Sequence, residues 1–378
     1  MTAPRRILHL HSSFDPGGKE MRAVQLINGF GRACAHDIVS AVPGALGAAA
    51  RIARKIAFAT PEFPGLQGRP GPRRLHRLAR AMRGYDLVLT YNFGAMDAVL
   101  AHTLFARALA LPPLVHHEDG FNADEAAGLK PVRNWYRRIA LGGIAALVVP
   151  SRRLEAIACD VWHQPPERVH RIANGIATSA YGARPKPDAL PRIVKREGEL
   201  WLGALAGLRP VKNLPRLVRA FAGLPEPWQL VILGEGPCRD EIRAAALALG
   251  IAHRVHLPGF IAEPARVIDL FDCFALSSDS EQFPLSVVEA MAAGLAVAAT
   301  DVGDVKAMLA EENRGFVVPA GDEAALADAL ARLAADAGLR ARLGRANRAL
   351  ARACFDEAAM IAAYRAVYAR AMRRDSFP

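Results

Sequence analysis

Short apolar segments alternate with segments of helical periodicity along almost the whole chain. The apolar segments are rich in valine, isoleucine and leucine, which favours buried strands, and the segments between them have the apolar spacing of amphipathic helices. The strand candidates read RILHLHS, DIVSAV, IAFAT, DLVLTY, PLVHHED and ALVVPS in the first half, and WLGALAG, WQLVILG, RVHLPGF, CFALSS, AVAAT and GFVVP in the second. This alternation predicts parallel sheets covered by helices on both faces.

The alternation breaks once, at residues 178–199, which read TSAYGARPKPDALPRIVKREGE and follow neither period. We place the linker at residues 181–199, between a first domain of residues 1–180 and a second of residues 200–357. The helical residues 358–378 are expected to pack back on the first domain. The predicted fold class is α/β, with two Rossmann-like, doubly wound domains that face each other across a cleft. Such sheets bind ligands at the carboxyl ends of their strands.

The composition is that of a globular protein, with 52% hydrophobic and 22% charged residues. The five cysteines are scattered without zinc-type spacing, which is typical of reduced thiols. Polar residues interrupt the apolar run near the start too early for a signal peptide, and no segment approaches the ~18 apolar residues of a spanning helix. We therefore expect a cytoplasmic protein, with a peripheral contact at the inner face of the membrane left open.

The positive charge is concentrated in the first half of the chain. The net charge is +11, with 25 basic against 14 acidic residues up to position 190 and 23 against 23 after it. Residues 72–83, PRRLHRLARAMR, form a basic amphipathic pattern. Such a helix suits phospholipid, a lipid pyrophosphate or nucleic acid, and an ordinary solvated face is the alternative.

The segment SEQFPLSVVEAMAAG carries two carboxylates around a predicted helix start. Glu281 lies in the loop after the strand CFALSS, and Glu289 lies about two turns into the helix, which Pro284 should open and Gly294 should end. Eight helical residues rise about 12 Å, whereas the carboxylates of glycoside hydrolases lie roughly 5 to 9.5 Å apart. The spacing therefore favours a clamp on one extended ligand over a hydrolytic pair.

The helix start itself suits an anion or a hydroxyl oxygen. The free amides of Phe283, Leu285 and Ser286 should point out of the first turn beside Glu281. Amides and a carboxylate together suit a ligand with both phosphate and hydroxyl groups. Near the start of the chain, Gly17 and Gly18 follow the first strand and precede a helix, so the backbone there can approach a phosphate or a sugar closely.

Together these motifs resemble the donor-binding signature of family 4 retaining glycosyltransferases of the GT-B fold. The resemblance includes the E-x7-E pattern of Glu281 and Glu289, and it is dense over residues 200–320. Four further segments are similar to the family's loops and nucleotide-binding strands: PGGKE (16–20), RIANGI (171–176), GLRPVKN (207–213) and LGEGPCRDEIRAAALALGIAHRVHLPGF (233–260).

The resemblance implies roles for particular residues. Glu289 would bind the donor ribose, Glu281 the hydroxyl groups of the transferred sugar, and Lys212 the diphosphate. The catalytic candidates are His117, Lys212 and Glu281. The donor-binding candidates are Gly17, Gly18, Arg209, Lys212, Ile261, Glu281, Phe283, Pro284, Leu285, Ser286 and Glu289. Ile261 matches a position where backbone contacts the base, and His117 ends the strand PLVHH and resembles family histidines that contact the sugar.

The sequence departs from the family pattern at three positions. The family arginine usually stands five residues before the lysine, where this chain has Gly207, and Arg209 is the candidate to replace it. Pro284 stands where many relatives have glycine, and Ala173 stands where the interdomain loop has proline.

The predicted function is retaining transfer of a sugar from a nucleoside diphosphate sugar to a hydroxyl of an acceptor in the first domain. The basic segment suggests a lipid-linked or anionic acceptor, as in bacterial surface polysaccharide or glycolipid assembly. No D-x-D triplet occurs, so we expect neither a metal nor another cofactor. The rivals are another GT-B-like enzyme, such as a nucleotide-sugar epimerase or a phosphorylase, and a basic membrane- or nucleic-acid-binding protein with a vestigial sugar site. We expect no nucleic-acid partner, because the second half lacks a basic strand rich in aromatic residues.

Overall fold

The computed structural model describes residues 4–121, 125, 128–183 and 185–378. Arg184 of the predicted linker lies outside the described residues. The chain divides into two compact units, the first formed by Met1–Asn174 with Ala359–Pro378 and the second by Gly175–Ala358. Between positions 181 and 199, the described residues contain neither a helix nor a strand.

The first unit is built on a seven-stranded parallel sheet in the order β3-β2-β1-β4-β5-β6-β7. Its strands are β1 Arg5–His11, β2 Cys34–Ser40, β3 Ala57–Ala59, β4 Leu87–Tyr91, β5 Leu114–His117, β6 Ala146–Val149 and β7 Val169–Arg171. Its helices are α1 Gly18–Phe30, α2 Pro72–Ala81, α3 Met96–Phe105, α4 Pro131–Ala140, α5 Arg152–Asp160 and α12 Glu357–Ala371, the last of which starts in the second unit. Two apolar layers enclose the sheet, one with α1 and α12 and the other with α2 to α5.

The second unit has a six-stranded parallel sheet in the order β10-β9-β8-β11-β12-β13. Its strands are β8 Leu200–Leu205, β9 Trp228–Leu233, β10 Val255–Gly259, β11 Cys273–Leu276, β12 Val297–Thr300 and β13 Val317–Val318. Its helices are α6 Leu214–Phe221, α7 Arg239–Ala248, α8 Leu285–Ala292, α9 Val305–Met308, α10 Glu323–Ala335 and α11 Ala337–Cys354. The buried strands are almost continuously apolar, as strands covered on both faces must be.

The fold class predicted from the sequence is confirmed, because both units are parallel α/β sheets of the doubly wound type. Each strand candidate corresponds to a strand of the structure. Strand β7 was not predicted, because its three residues are too few to show a period. Strand order reverses between β1 and β4 in the first sheet and between β8 and β11 in the second, so each sheet has a switch point where ligands of such folds bind.

Two predicted helix boundaries can be compared with the structure. Pro284 stands immediately before α8 and not within its first turn, one position earlier than predicted. Gly294 follows the last turn with a φ of 76°, the left-handed conformation that favours glycine at a helix exit. In the described parts of the chain, the helices are all too short or too polar to cross a bilayer.

Candidate functional site

Lys212 and Glu281 meet at the switch point of the second sheet. Lys212 ends a 3₁₀ turn that follows β8, and Glu281 lies in the loop that follows β11. The Lys212 Nζ donates a hydrogen bond to Glu281 Oε1, and the two side chains form an ion pair that is mostly shielded from solvent. The fold thus brings together two of the predicted site residues, which are 69 positions apart in the sequence.

Hydrogen bonds between the two loops hold this ion pair in place. Ser278 Oγ donates to the same Glu281 Oε1 at 2.8 Å, and Ser277 Oγ donates to the Lys212 carbonyl oxygen at 3.0 Å. The backbone amide of Asp279 donates to the carbonyl of Val211 at 2.8 Å. Neither serine was singled out in the sequence, because their role depends on the pairing of β8 with β11.

A second set of polar contacts fixes the basic loop to the start of α6. Asn213 adopts a left-handed conformation with a φ of 41° and caps α6 through its side-chain oxygen. Its Nδ2 donates to Asp279 Oδ2 at 3.0 Å, and Arg216 NH1 donates to Asp279 Oδ1 at 2.6 Å. Asp279 therefore anchors both ends of this turn. The asparagine followed by Leu214 and a proline was the available sequence signal for a helix cap.

Glu289 projects from α8 into a largely buried environment. Tyr181 OH donates to Glu289 Oε1 at 3.2 Å, and the tyrosine itself is 8% exposed. Burial raises the pKa of Glu289 to about 7, and the hydrogen bond from Tyr181 opposes that rise. Burial, followed by the nearby carboxylate, raises the pKa of Tyr181. Tyr181 lies at the start of the predicted linker and was not among the site residues predicted from the sequence.

The loop between Glu281 and α8 is packed tightly against the segment after β12. Gly303 has a φ of 58°, and a Cβ at this position would lie 2.5 Å from the Glu281 carbonyl oxygen. Asp304 N donates to the Gln282 carbonyl at 3.1 Å. Phe283 lies edge-on to Phe355 at 5.5 Å. The loop backbone therefore has little freedom, and it leads directly to the amides of Leu285 and Ser286, which have no partner in the first turn of a helix.

Arg209 lies over Gly207. A Cβ built on Gly207 would lie 3.6 Å from Arg209 Nε, so the arginine side chain folds back over the position where the family arginine would stand. The same loop packs on the turn after β9. Gly234 has a φ of 150°, and a side chain there would overlap the Ala206 carbonyl oxygen.

Ile261 lies farther along the carboxyl edge of this sheet, two residues beyond the end of β10. It is half-buried and lines a cavity of about 450 Å³, together with Lys186 and Arg266. Contact between the Ile261 backbone and a base stays a prediction.

In the first unit, Gly17 and Gly18 lie at the start of α1, directly beyond the carboxyl end of β1. Gly17 is extended and caps the helix, and a Cβ there would lie 2.7 Å from Glu20 Oε2. Gly18 faces open space. Lys19 forms an ion pair with Glu20, and burial lowers the pKa of Lys19 to about 8.

His117 ends β5 as predicted, and its ring is completely buried. Its Nδ1 contacts the Thr90 carbonyl oxygen at 3.1 Å, and its Nε2 contacts Tyr368 OH at 2.9 Å. Burial, with Arg22 next in importance, holds the pKa of His117 well below its usual range, so the ring is neutral. Contact between His117 and a sugar stays a prediction.

A buried ion pair beside His117 was not predicted from the sequence. Arg22 is 2% exposed and forms two hydrogen bonds with the Asp119 carboxylate, one of them between NH2 and Oδ2 at 2.7 Å. Its NH1 also donates to Asn174 Oδ1 at 3.1 Å. An arginine on an apolar helix face was the only signal in the sequence.

The described residues contain no group of three or more metal-ligating side chains.

Two family models match the chain, one on each side of residue 180. Residues 16–180 match the model described as Glycosyltransferase Family 4, and residues 186–350 match the model described as Glycosyl transferases group 1. The two matches together include the glycine pair after β1, the Lys212 loop and the α8 segment.

Curated relatives and a solved structure agree with these matches. The chain is 33% identical to a D-inositol 3-phosphate glycosyltransferase of Xylanimonas cellulosilytica, over 61% of this chain and 58% of that protein. It is 32% identical to a phosphatidyl-myo-inositol mannosyltransferase of Mycobacterium leprae, over 56% of this chain and 54% of that protein. The alignments thus span less than two thirds of either relative. Anabaena HepE in complex with UDP superposes with a TM-score of 0.77 at 21% identity, over 94% of this chain and 97% of that one, which establishes a shared fold.

Proposed function

Because the chain belongs to the family 4 glycosyltransferases, we propose that it transfers a sugar from a nucleoside diphosphate sugar to a hydroxyl group of an acceptor, with retention of the anomeric configuration. The observation that carries this proposal is the contact between Lys212 and Glu281 at the switch point, with Glu289 on the following helix. One cation, two carboxylates and the open amides of α8 match a donor that has a diphosphate between two hydroxyl-bearing sugars.

Lys212 is the proposed electrostatic catalyst. When the bond between the sugar and the diphosphate breaks, negative charge develops on the leaving oxygen, and a fixed cation beside it lowers the barrier. In the structure Glu281 neutralises Lys212. A bound diphosphate would take over that role, which would release the Glu281 carboxylate to accept hydrogen bonds from the hydroxyl groups of the transferred sugar.

Arg209 is the proposed second cation for the diphosphate. Its side chain is exposed and lies over Gly207, so it reaches the space that the missing family arginine would fill. In this proposal the second cation stands two positions later in the sequence than in the family pattern, within the same loop.

Glu289 is the proposed ribose ligand. A carboxylate can accept hydrogen bonds from both ribose hydroxyl groups, and Tyr181 holds one of its oxygens in position. Burial makes ionisation of Glu289 costly in the free protein. Two hydroxyl donors would favour the charged form, so the ribose and the ionised carboxylate should stabilise each other.

The acceptor step needs no separate protein base in this proposal. The diphosphate departs on the face from which the acceptor approaches, and a leaving-group oxygen takes the acceptor proton, so positioning and electrostatics supply most of the catalysis. In the first unit, His117 is proposed as a sugar contact, and Gly17 and Gly18 are proposed to let the backbone approach the donor closely. Because the His117 ring is neutral and bonded to Tyr368, it would act as a hydrogen-bonding group after that bond opens.

Donor and acceptor classes follow from chemistry and from the relatives. HepE was solved with UDP, which supports a nucleotide-bearing donor for this chain. The names of the two curated relatives contain inositol 3-phosphate and phosphatidyl-myo-inositol, and the exposed Arg73, Arg77 and Arg80 of α2 suit an acceptor that is anionic in this way, whether or not it is lipid-linked. We propose that no metal is required, because the cationic side chains and amides act on the diphosphate. Cytoplasmic placement with contact at the inner membrane face is part of the same proposal.

Nucleotide binding by matched variants tests the proposal. The thermal shift of the full chain is measured with UDP, GDP and ADP and with their sugars. We expect one nucleotide to raise the melting temperature of the wild type and of the control Lys306→Ala, whose lysine is exposed on α9. The shift should disappear in Lys212→Ala and in Glu289→Ala. Normal shifts in both of these variants would contradict the site.

A turnover measurement separates transfer from the rival reactions. With the nucleotide sugar that binds, free nucleoside diphosphate should accumulate only when an anionic acceptor such as inositol phosphate is added. Release that does not depend on acceptor, or conversion of the sugar without release, would favour the epimerase or phosphorylase alternative.

A further inference from the structure

A cavity of about 510 Å³ opens in the first unit, at the end of the sheet opposite to the carboxyl ends of the strands. Leu114 starts β5 and Ala146 starts β6, and both lie in its wall. His170 of β7 forms another part of the wall, and the end of α12 closes one side through Val367. The cavity therefore lies between the amino ends of neighbouring parallel strands and the last helix.

This cavity is separate from the proposed donor site. Lys212, Glu281 and Glu289 belong to the second unit, whereas every residue of this cavity belongs to the first. The first-unit candidates Gly17, Gly18 and His117 lie at the carboxyl ends of strands, whereas the cavity lies at the amino ends of β5 and β6. Its position also differs from the switch point between β1 and β4, where a doubly wound sheet binds its ligand. The cavity has the volume of small-molecule sites, which are roughly 300 to 1,000 Å³.

The mouth of the cavity is strongly basic. Arg168, Arg370 and Arg373 all line it, and Glu167 is the acid on the same wall. Within the described residues, none of the three guanidinium groups forms an ion pair with a carboxylate. Arg168 NH1 is fixed by a hydrogen bond of 2.9 Å to the Gly142 carbonyl oxygen. Three guanidinium groups around one opening favour an anion, and their planar donors suit phosphoryl oxygens in particular.

His170, in the wall of the cavity, lies close enough to Arg370 to be affected by its charge. Burial, and then the neighbouring Arg370, hold the pKa of His170 below its ordinary value. An anion between these two side chains would relieve the repulsion that the arginine exerts on the protonated ring.

We propose that this cavity is a second ligand site, which binds an organic phosphate. Arg370 and Arg373 hold the phosphoryl group at the mouth, beside Arg168. The ligand joins the end of α12 to the strands that it touches, so binding stabilises the folded first unit. The phosphate belongs either to a soluble polyol phosphate or to a phospholipid headgroup, since both have this chemistry.

Calorimetric titration of the full chain with glycerol 3-phosphate tests the proposal. We expect the affinity to fall by about tenfold or more in Arg370→Ala/Arg373→Ala, because two charge-assisted contacts are removed. The control Arg374→Ala removes a neighbouring exposed arginine outside the cavity lining and should change the affinity by less than about twofold. Thermal unfolding of each variant verifies that it is folded.

Lys212→Ala distinguishes this site from the donor site. The proposal predicts that Lys212→Ala binds glycerol 3-phosphate as the wild type does, even if the nucleotide response is lost. Loss of glycerol 3-phosphate binding in Lys212→Ala, or unchanged binding in the double arginine variant, would overturn it. Failure of the donor assignment alone would leave this result intact.

A sedimentation assay with vesicles identifies the source of the phosphate. Vesicles of phosphatidylglycerol are compared with vesicles of phosphatidylcholine. Binding of soluble glycerol 3-phosphate that depends on Arg370 and Arg373 assigns the site to a soluble ligand. Binding to phosphatidylglycerol vesicles alone, with the same dependence, assigns it to a headgroup. If neither probe binds, the proposal is wrong.

Discussion

Lys212 Nζ and Glu281 Oε1 are hydrogen-bonded across the switch point of the second sheet, although their loops follow different strands, β8 and β11. The hydrogen bonds donated by the Ser277 and Ser278 hydroxyl groups hold both loops around this pair. A cation held beside a carboxylate in the free protein is ready to exchange that partner for a diphosphate.

Removing the lysine should abolish most of the catalysis. In Lys212→Ala no fixed cation remains beside the leaving oxygen except Arg209, so we expect kcat to fall by about 10²- to 10³-fold. Steady-state rates of nucleoside diphosphate release are the measurement, with Lys306→Ala as the control. A variant that kept more than half of the wild-type rate would show that Lys212 does not act on the leaving group.

An arginine at position 207 should be able to replace Arg209 as the second cation. Arg209→Ala should raise KM for the donor by about tenfold, the effect of losing one charged contact. Adding Gly207→Arg to that variant should restore most of the affinity. A side chain at 207 meets nothing closer than Arg209 itself, and the backbone there is not in the left-handed region. If the double variant bound the donor as weakly as Arg209→Ala does, an arginine at position 207 could not replace Arg209.

The pH dependence of nucleotide binding should follow Glu289. Its pKa is raised to about 7 by burial, and the ribose hydroxyl groups need the ionised form as an acceptor. Binding of the nucleotide should therefore strengthen as the pH rises from about 6 to about 8. Isothermal titration across this range is the measurement, and Glu289→Gln should bind more weakly with a flatter profile.

The variant Tyr181→Phe should shift the same dependence of nucleotide affinity on pH. The tyrosine hydroxyl stabilises the carboxylate, so its removal should raise the pKa of Glu289 further. The rise in affinity should then shift to higher pH while the protein stays folded. A shift to lower pH would mean that Tyr181 does not donate to Glu289.

Folding stability should fall in mild acid because of buried histidines in the first unit. His9 and His36 share a hydrogen bond of 2.9 Å, and burial lowers the pKa of both, that of His36 to about 4. The unfolded chain takes up protons near the ordinary value of about 6.5, so it binds more protons than the native state below that pH. The free energy of unfolding should decrease as the pH falls from about 6.5 to about 4, by up to 1.4 kcal/mol per pH unit for each histidine.

Urea unfolding at several pH values measures this effect. Replacing His36 by glutamine removes one titrating group, so the slope of stability against pH should become shallower. An unchanged slope would assign the loss of stability to other groups.

Gly234 should be required for the shape of the basic loop. Its φ of 150° is unfavourable for other residues, and a methyl group there would overlap the Ala206 carbonyl oxygen. Gly234→Ala should therefore displace the loop that carries Arg209 and Lys212 and weaken nucleotide binding. Gly223→Ala is the control, because a Cβ at Gly223 meets nothing within 4 Å. Equal thermal shifts with nucleotide in the two variants would contradict this role.

The strands of both sheets could be predicted because buried parallel strands are recognisable from their local sequence alone. The segment WQLVILG needs no tertiary information to be recognised as a strand, whereas the three residues of β7 have no period to recognise. The α8 segment was equally readable, since Glu281 and Glu289 lie within one motif.

The partners of the site residues could not be predicted, because they depend on strand order. Tyr181 reaches Glu289 across 108 positions, and Ser277 reaches the Lys212 carbonyl across 65. His117 was located correctly at a strand end, but the hydroxyl that contacts it comes from Tyr368, 251 positions away in the last helix. The orientation and burial of its ring follow from the docking of α12, which the local sequence around His117 does not encode.

A crystal structure of the full chain with the nucleoside diphosphate that raises its melting temperature tests the central claim most directly. The account predicts the diphosphate against Lys212, the ribose hydroxyl groups on Glu289, and Glu281 released from the lysine. Nucleotide bound elsewhere, with the ion pair between Lys212 and Glu281 unbroken and Glu289 still bonded only to Tyr181, would contradict it.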